Sequence, residues 1–177
     1  LNRCRQVVVE DNYVHDAQNY GTGGHGYGVN LENLSTDILV TNNIFKNLRH
    51  HILVQTGTNH SIISYNYNVD IRELVDLSLH GHYSNHNLYE GNMVWWAGFA
   101  DFWGQLGPEN TLYRNHVQGK AAGDQGVVIY DNSDRQNVIG NDFLRGSTLA
   151  QDADVDATFA EGNVLDGVPR WNTKSSS

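Results

Sequence analysis

One short pattern, apolar-x-x-Asn-x-apolar, returns along the whole chain. It is centred on Asn12, Asn43, Asn92, Asn115, Asn141 and Asn163, as in Val9-Glu-Asp-Asn12-Tyr-Val14 and Leu112-Tyr-Arg-Asn115-His-Val117. A seventh copy, around Asn66, has Asn68 in its final apolar place and meets an apolar residue only at Val69. The Asn-to-Asn intervals are 31, 23, 26, 23, 26 and 22 residues, the longest stretched by a Gly-rich insertion from Ala17 to Tyr27. Short strands recurring with this period, and no helical periodicity, predict one solenoid turn per repeat, with about 4.8 Å between stacked rungs.

The sequence is therefore expected to form an all-β, right-handed parallel β-helix of about seven rungs, with 22 to 26 residues in an ordinary rung. Residues 1–170 are read as one domain and 171–177 as a tail. A second strand is expected about ten residues after each Asn, at Gly28–Leu31, His51–Gln55, Val75–His80, Ala100–Gln105 and Val127–Tyr130. The recurring Asn has a physical rationale. Asn tolerates the left-handed backbone of a sharp corner, and its amide can bond to the Asn of the rungs above and below.

Composition narrows the function. The net charge of −9 argues against non-specific nucleic-acid binding, which needs a basic footprint. A polyanionic substrate would then need a cation or a local Arg cluster to offset repulsion. With a single cysteine, Cys4, no internal disulfide can form. No apolar run reaches the roughly 18 residues of a membrane span. The chain opens inside a repeat on LNRCRQVVVEDN, without a signal-peptide pattern, so it reads as a piece of something longer. Open end rungs are expected to allow end-to-end or side-by-side self-association.

The ladder of Asn corners, with DLSLHGHYSNHNLYEGN at its centre, resembles the parallel β-helix proteins of the pectate-lyase-like superfamily. That resemblance implies a secreted or cell-surface protein acting on an extracellular, acidic polysaccharide. It implies lyase-type β-elimination or related uronate chemistry, with inverting hydrolysis or non-catalytic glycan binding as rival readings.

Alternation along the second strands suggests where chemistry would sit. If Ile52, Val54, Val75, Leu77, Leu79, Ala100, Phe102 and Gly104 point inward, three outward columns result. They are His51–Asp76–Asp101, Leu53–Ser78–Trp103 and Gln55–His80–Gln105. Stacked carboxylates about 5 Å apart would repel, which suits an acid/base pair or a shared Ca²⁺. The expected catalytic set is Asp76, Asp101, His51, His80 and Arg72, with Asp76 and Asp101 as the Ca²⁺ ligands. Trp103, Gln55, Gln105 and Arg49 are expected to bind the sugar. The plain alternative is that these polar residues only solvate the surface. Two further features are noted. His80-x-His82-x3-His86 has the look of a weak metal pattern, and the aromatic run from Trp95-Trp96 to Trp103 is either core filling or a carbohydrate shelf.

Overall fold

In the computed structural model the described residues are 1–20, 23–71, 75–99, 104–121, 123–130, 133–151, 153–155, 158–166 and 168–170. They form a parallel β-solenoid with three sheets. Each rung contributes one strand to each sheet in turn, so neighbours in a sheet come from consecutive rungs. The first sheet holds seven strands, from Val8–Glu10 to Thr158–Glu161. The second holds eight, from Tyr13–His15 to Asn163–Leu165 and then Val168–Arg170. The third holds six, from Tyr27–Leu31 to Thr148–Gln151. The three sheets thus hold from six to eight strands each, and the expected seven rungs are an approximate count. Every pairing is parallel except the last, where Val168–Arg170 runs antiparallel along Asn163–Leu165. No helix of the described residues is long and apolar enough to cross a membrane.

The strands are short because each presents only one or two residues to a narrow interior. In the first sheet these are Val40, Ile63, Tyr89, Leu112 and Val138, all with no exposed area. The third sheet adds Ile52 and Val54, Leu77 and Leu79, Ala97 and Phe99, and Val127 and Ile129. The second adds Phe45, Val94, Val117 and Phe143. Burial of this hydrocarbon in register is what holds the rungs together.

The Asn repeat marks the corner between the first and second sheets. From Asn12 to Asn163, each side-chain Nδ2 donates to Oδ1 of the next Asn at 2.9 to 3.1 Å, giving six consecutive bonds. The same Oδ1 also accepts the backbone N–H of the preceding Asn, as from Asn66 to Asn92 at 3.0 Å. The left-handed backbone falls elsewhere than expected. It belongs to the residue before each Asn: Asp11, Asn42, Tyr65, Gly91, Arg114, Gly140 and Gly162, with φ from 52° to 66° among Asn42, Tyr65, Gly91, Arg114, Gly140 and Gly162 after Asp11 at 59°. The preceding residue makes the turn, which leaves the Asn free to face inward and bond along the axis. A second, shorter ladder of Asn87, Asn110 and Gln136 lines another corner at 3.0 Å per bond.

Candidate functional site

The expected outward columns are correct for one pair of rungs and fail at the next. Leu53 pairs with Ser78 and Gln55 with His80, as expected. On the following rung, however, Ser78 pairs with Gly98 and Leu79 with Phe99. The strand there is Ala97–Phe99, not Ala100–Gln105, so the register is displaced by five residues from the expected Ser78–Trp103 pairing. The cause is a very short corner. Only Trp95 and Trp96 separate Met93–Val94 from Ala97–Phe99, whereas on either side seven residues of sequence separate Tyr67–Val69 from Leu77–His80 and His116–Val117 from Gln125–Ile129. Asp101, Trp103 and Arg72 lie outside the described residues.

The expected outward direction is also corrected. His51 and Asp76 have no exposed area. They turn into the corner between the second and third sheets, where the His51 ring stacks on Phe45 of the core at 6.3 Å between centroids. Leu53 and Ser78, expected to be outward, are buried as well. Gln55 donates to Asn30 and Glu32 at 3.1 Å each. The Arg49 guanidinium donates to the Tyr20 carbonyl at 2.9 Å, holding down the Gly-rich insertion. Gln105 is exposed, and its carbonyl accepts the Tyr83 N–H at a different corner from His80. The three histidines of the supposed metal pattern part company. His80 lies 6.4 Å from the His50 ring, while exposed His86 meets His60, Asn85 and Glu109. Among the described residues no group of three or more His, Cys, Asp or Glu is placed to hold a metal ion.

What the fold does bring together is a buried polar cluster under an aromatic corner. Asn68 occupies the inward position that Phe45, Val94, Val117 and Phe143 fill on other rungs. Its Nδ2 donates to Asp76 Oδ2 at 2.9 Å. The same oxygen accepts the Trp95 N–H at 2.9 Å, and Oδ1 accepts the Trp96 N–H at 2.6 Å. His51 Nδ1 lies 3.9 Å from Oδ2, too far for a hydrogen bond, and neither ring nitrogen has a hydrogen-bond partner. Burial pushes the Asp76 carboxyl above the usual range, against the pull of its N–H donors. Burial, helped by the neighbouring His50, lowers His51 to about 4, so its imidazole is neutral at pH 7.

On the outer side of this corner lie two hollows of about 320 and 300 Å³. Asp70, Ile71, Trp95 and Lys120 line the first, and Trp96, Lys120, Asp124 and Gln125 the second. Lys120 is common to both, with Nζ 5.1 Å from the centre of the Trp96 ring. The ammonium is thus held against an indole face, with carboxylate residues in the linings on both sides. An indole beside a cation can stack on a sugar ring and neutralise an acidic substituent at once.

In comparisons with protein-family models, curated proteins and solved structures, nothing matched this chain. The site therefore rests on its own geometry. Sequence reasoning passed over Lys120, because a lysine in a seven-residue corner loop has no strand register to place it. Asn68 did carry a signal: it is the only break in the apolar position of the repeat.

Proposed function

We propose that this chain is a carbohydrate-active β-solenoid of the pectate-lyase-like kind, acting on an extracellular acidic polysaccharide. The single observation behind this reading is Lys120, shared by two hollows and lying against the Trp96 ring. A uronate ring stacks its C–H face on an indole while its carboxylate approaches the ammonium. The site suits β-elimination. The proton α to the carboxylate passes to a carboxylate lining the hollows, Asp70 or Asp124, its electron pair becomes the new carbon–carbon double bond, and the glycosidic C–O bond breaks, the departing oxygen taking a proton from water. Lys120 stabilises the negative charge that grows on the carboxylate during proton loss. The expected Ca²⁺ between Asp76 and Asp101 is not part of this reading, since Asp76 is enclosed and both its oxygens accept N–H bonds.

A non-catalytic glycan-binding module is the second reading. It is favoured by the burial of His51 and Asp76, which removes two expected acid/base groups from the surface. One experiment separates the two. Native protein and Lys120→Gln are incubated with polygalacturonate and alginate, following ultraviolet absorbance of the unsaturated product and binding by calorimetry. Product from the native protein alone supports elimination. Binding without product supports the module. No binding to either polymer by the native protein overturns both.

A further inference from the structure

The Trp95–Trp96 corner departs from the solenoid's own hydrogen-bonding rule. On the following two rungs, the residue just after the second-sheet strand donates its backbone N–H to the preceding rung. Gln118 donates to the Val94 carbonyl at 2.9 Å and Leu144 to the Val117 carbonyl at 2.8 Å. Trp95 is the equivalent residue one rung earlier, and the Asn68 carbonyl is its equivalent acceptor. That carbonyl instead accepts the Trp95 indole Nε1–H at 3.1 Å. The displaced backbone N–H goes to Asp76, which also takes the N–H of Trp96.

We infer that Asp76 is a positioning residue for the Trp95–Trp96 shelf: by accepting both tryptophan amides it releases the Asn68 carbonyl to clamp the Trp95 indole. The exchange requires a carboxylate. Two oxygens on one side chain receive adjacent N–H groups from a two-residue corner, whereas an amide offers one acceptor and would set its own NH₂ against the other. Asn68 completes the device from both ends. Its side chain donates to Asp76, and its carbonyl holds the indole. A buried carboxylate costs stability compared with an apolar side chain of similar size. That cost falls on the rung directly beneath the hollows. As a role in ligand binding, the inference rests on the glycan-site reading; as a role in holding the shelf, it does not.

The test uses the isotopically labelled native chain and Asp76→Asn. In the native protein, scalar coupling across the hydrogen bonds is expected from the Trp95 and Trp96 amide nitrogens to Asp76 Cγ. Its absence overturns the inference, whether or not the variant folds. In Asp76→Asn, the Trp95 amide is expected to return to the Asn68 carbonyl. Exchange of the Trp95 indole N–H with solvent should then quicken by about tenfold or more, while amides of the Asn ladder keep their protection. A folded variant with unchanged indole exchange overturns the inference. Affinity for polygalacturonate oligosaccharides should fall by about tenfold in the same variant. If the indole is released and neither protein binds the oligosaccharide, the shelf-holding role stands and the glycan reading fails.

Discussion

Two corners of the solenoid obey opposite rules. At the corner between the first and second sheets, every rung turns in the same way and the Asn ladder runs unbroken from Asn12 to Asn163. At the corner between the second and third sheets, the connection shrinks to Trp95 and Trp96 on one rung, against seven residues of sequence on each neighbouring rung. The first corner spends its polar groups on backbone and ladder. The second leaves a buried carboxylate, an imidazole without a hydrogen-bond partner and two indoles around one lysine. Regularity marks what holds the rod together, and irregularity marks where the proposed glycan site lies.

The comparison is broken most severely by cutting the ladder. Asn92 accepts from the Asn66 backbone and side chain, and donates to Ile63 and Asn115, with almost no exposed area. Asn92→Leu strands several buried partners and is expected to cost about 4 kcal/mol in urea unfolding, against about 1 kcal/mol for exposed Asn12→Leu at the ladder's end. Equal costs would mean that the ladder is not a cooperative element.

The irregular corner should respond in the opposite sense. Trp96→Ala and Lys120→Gln are expected to weaken polygalacturonate binding by at least about tenfold while shifting the urea midpoint little, because both side chains lie at least partly in solvent. Loss of stability without loss of binding would make this corner structural like the other.

A pH series sharpens the contrast at His51. Its folded-state value of about 4 lies below the ordinary 6.5, so the unfolded chain binds the extra proton between those limits. The His51 contribution is therefore fully present above pH 6.5 and is lost as pH falls toward 4. In that window native stability should rise with pH more steeply than that of His51→Gln, by up to about 1.4 kcal/mol per pH unit. Parallel curves would show that His51 is not buried in neutral form. Asp76, shifted upward, works in the other direction: its contribution favours the fold at low pH and fades as pH rises through its folded-state value. The comparison with His51→Gln isolates the imidazole from it.

The smallest effect belongs to the backbone of the regular corner. Tyr65 holds φ at 53° where other rungs use Gly91, Gly140 and Asn42. Tyr65→Asn should gain about 0.5 kcal/mol in the same unfolding assay, since Asn enters the left-handed region more readily. No change would indicate that Tyr65 contacts offset its backbone strain.

The sequence made the regular corner legible because a buried amide ladder demands the same residue on every rung. The register of the third sheet was readable only from His51–Gln55 to Val75–His80, where alternation and spacing agreed. It was lost at Ala97–Phe99, because alternation cannot reveal that a corner has contracted to two residues. His51 and Asp76 were correctly brought together but turned the wrong way. Polar residues beside a strand read as solvent-facing unless a partner such as Asn68 is recognised inside. Lys120 was invisible for a related reason, since only the stacking of rungs brings residue 120 over residue 96.

The Asn ladder carries one more consequence. All six of its amide links point the same way, each Nδ2 toward the higher-numbered rung. Hydrogen-bonded amides aligned in a row polarise one another, whereas the dipoles of the surrounding sheets largely cancel. The ladder thus acts as a small electret along the rod, with its positive pole at Asn163 and its negative pole at Asn12. The two ends of the solenoid, built from the same repeat, are electrically unlike.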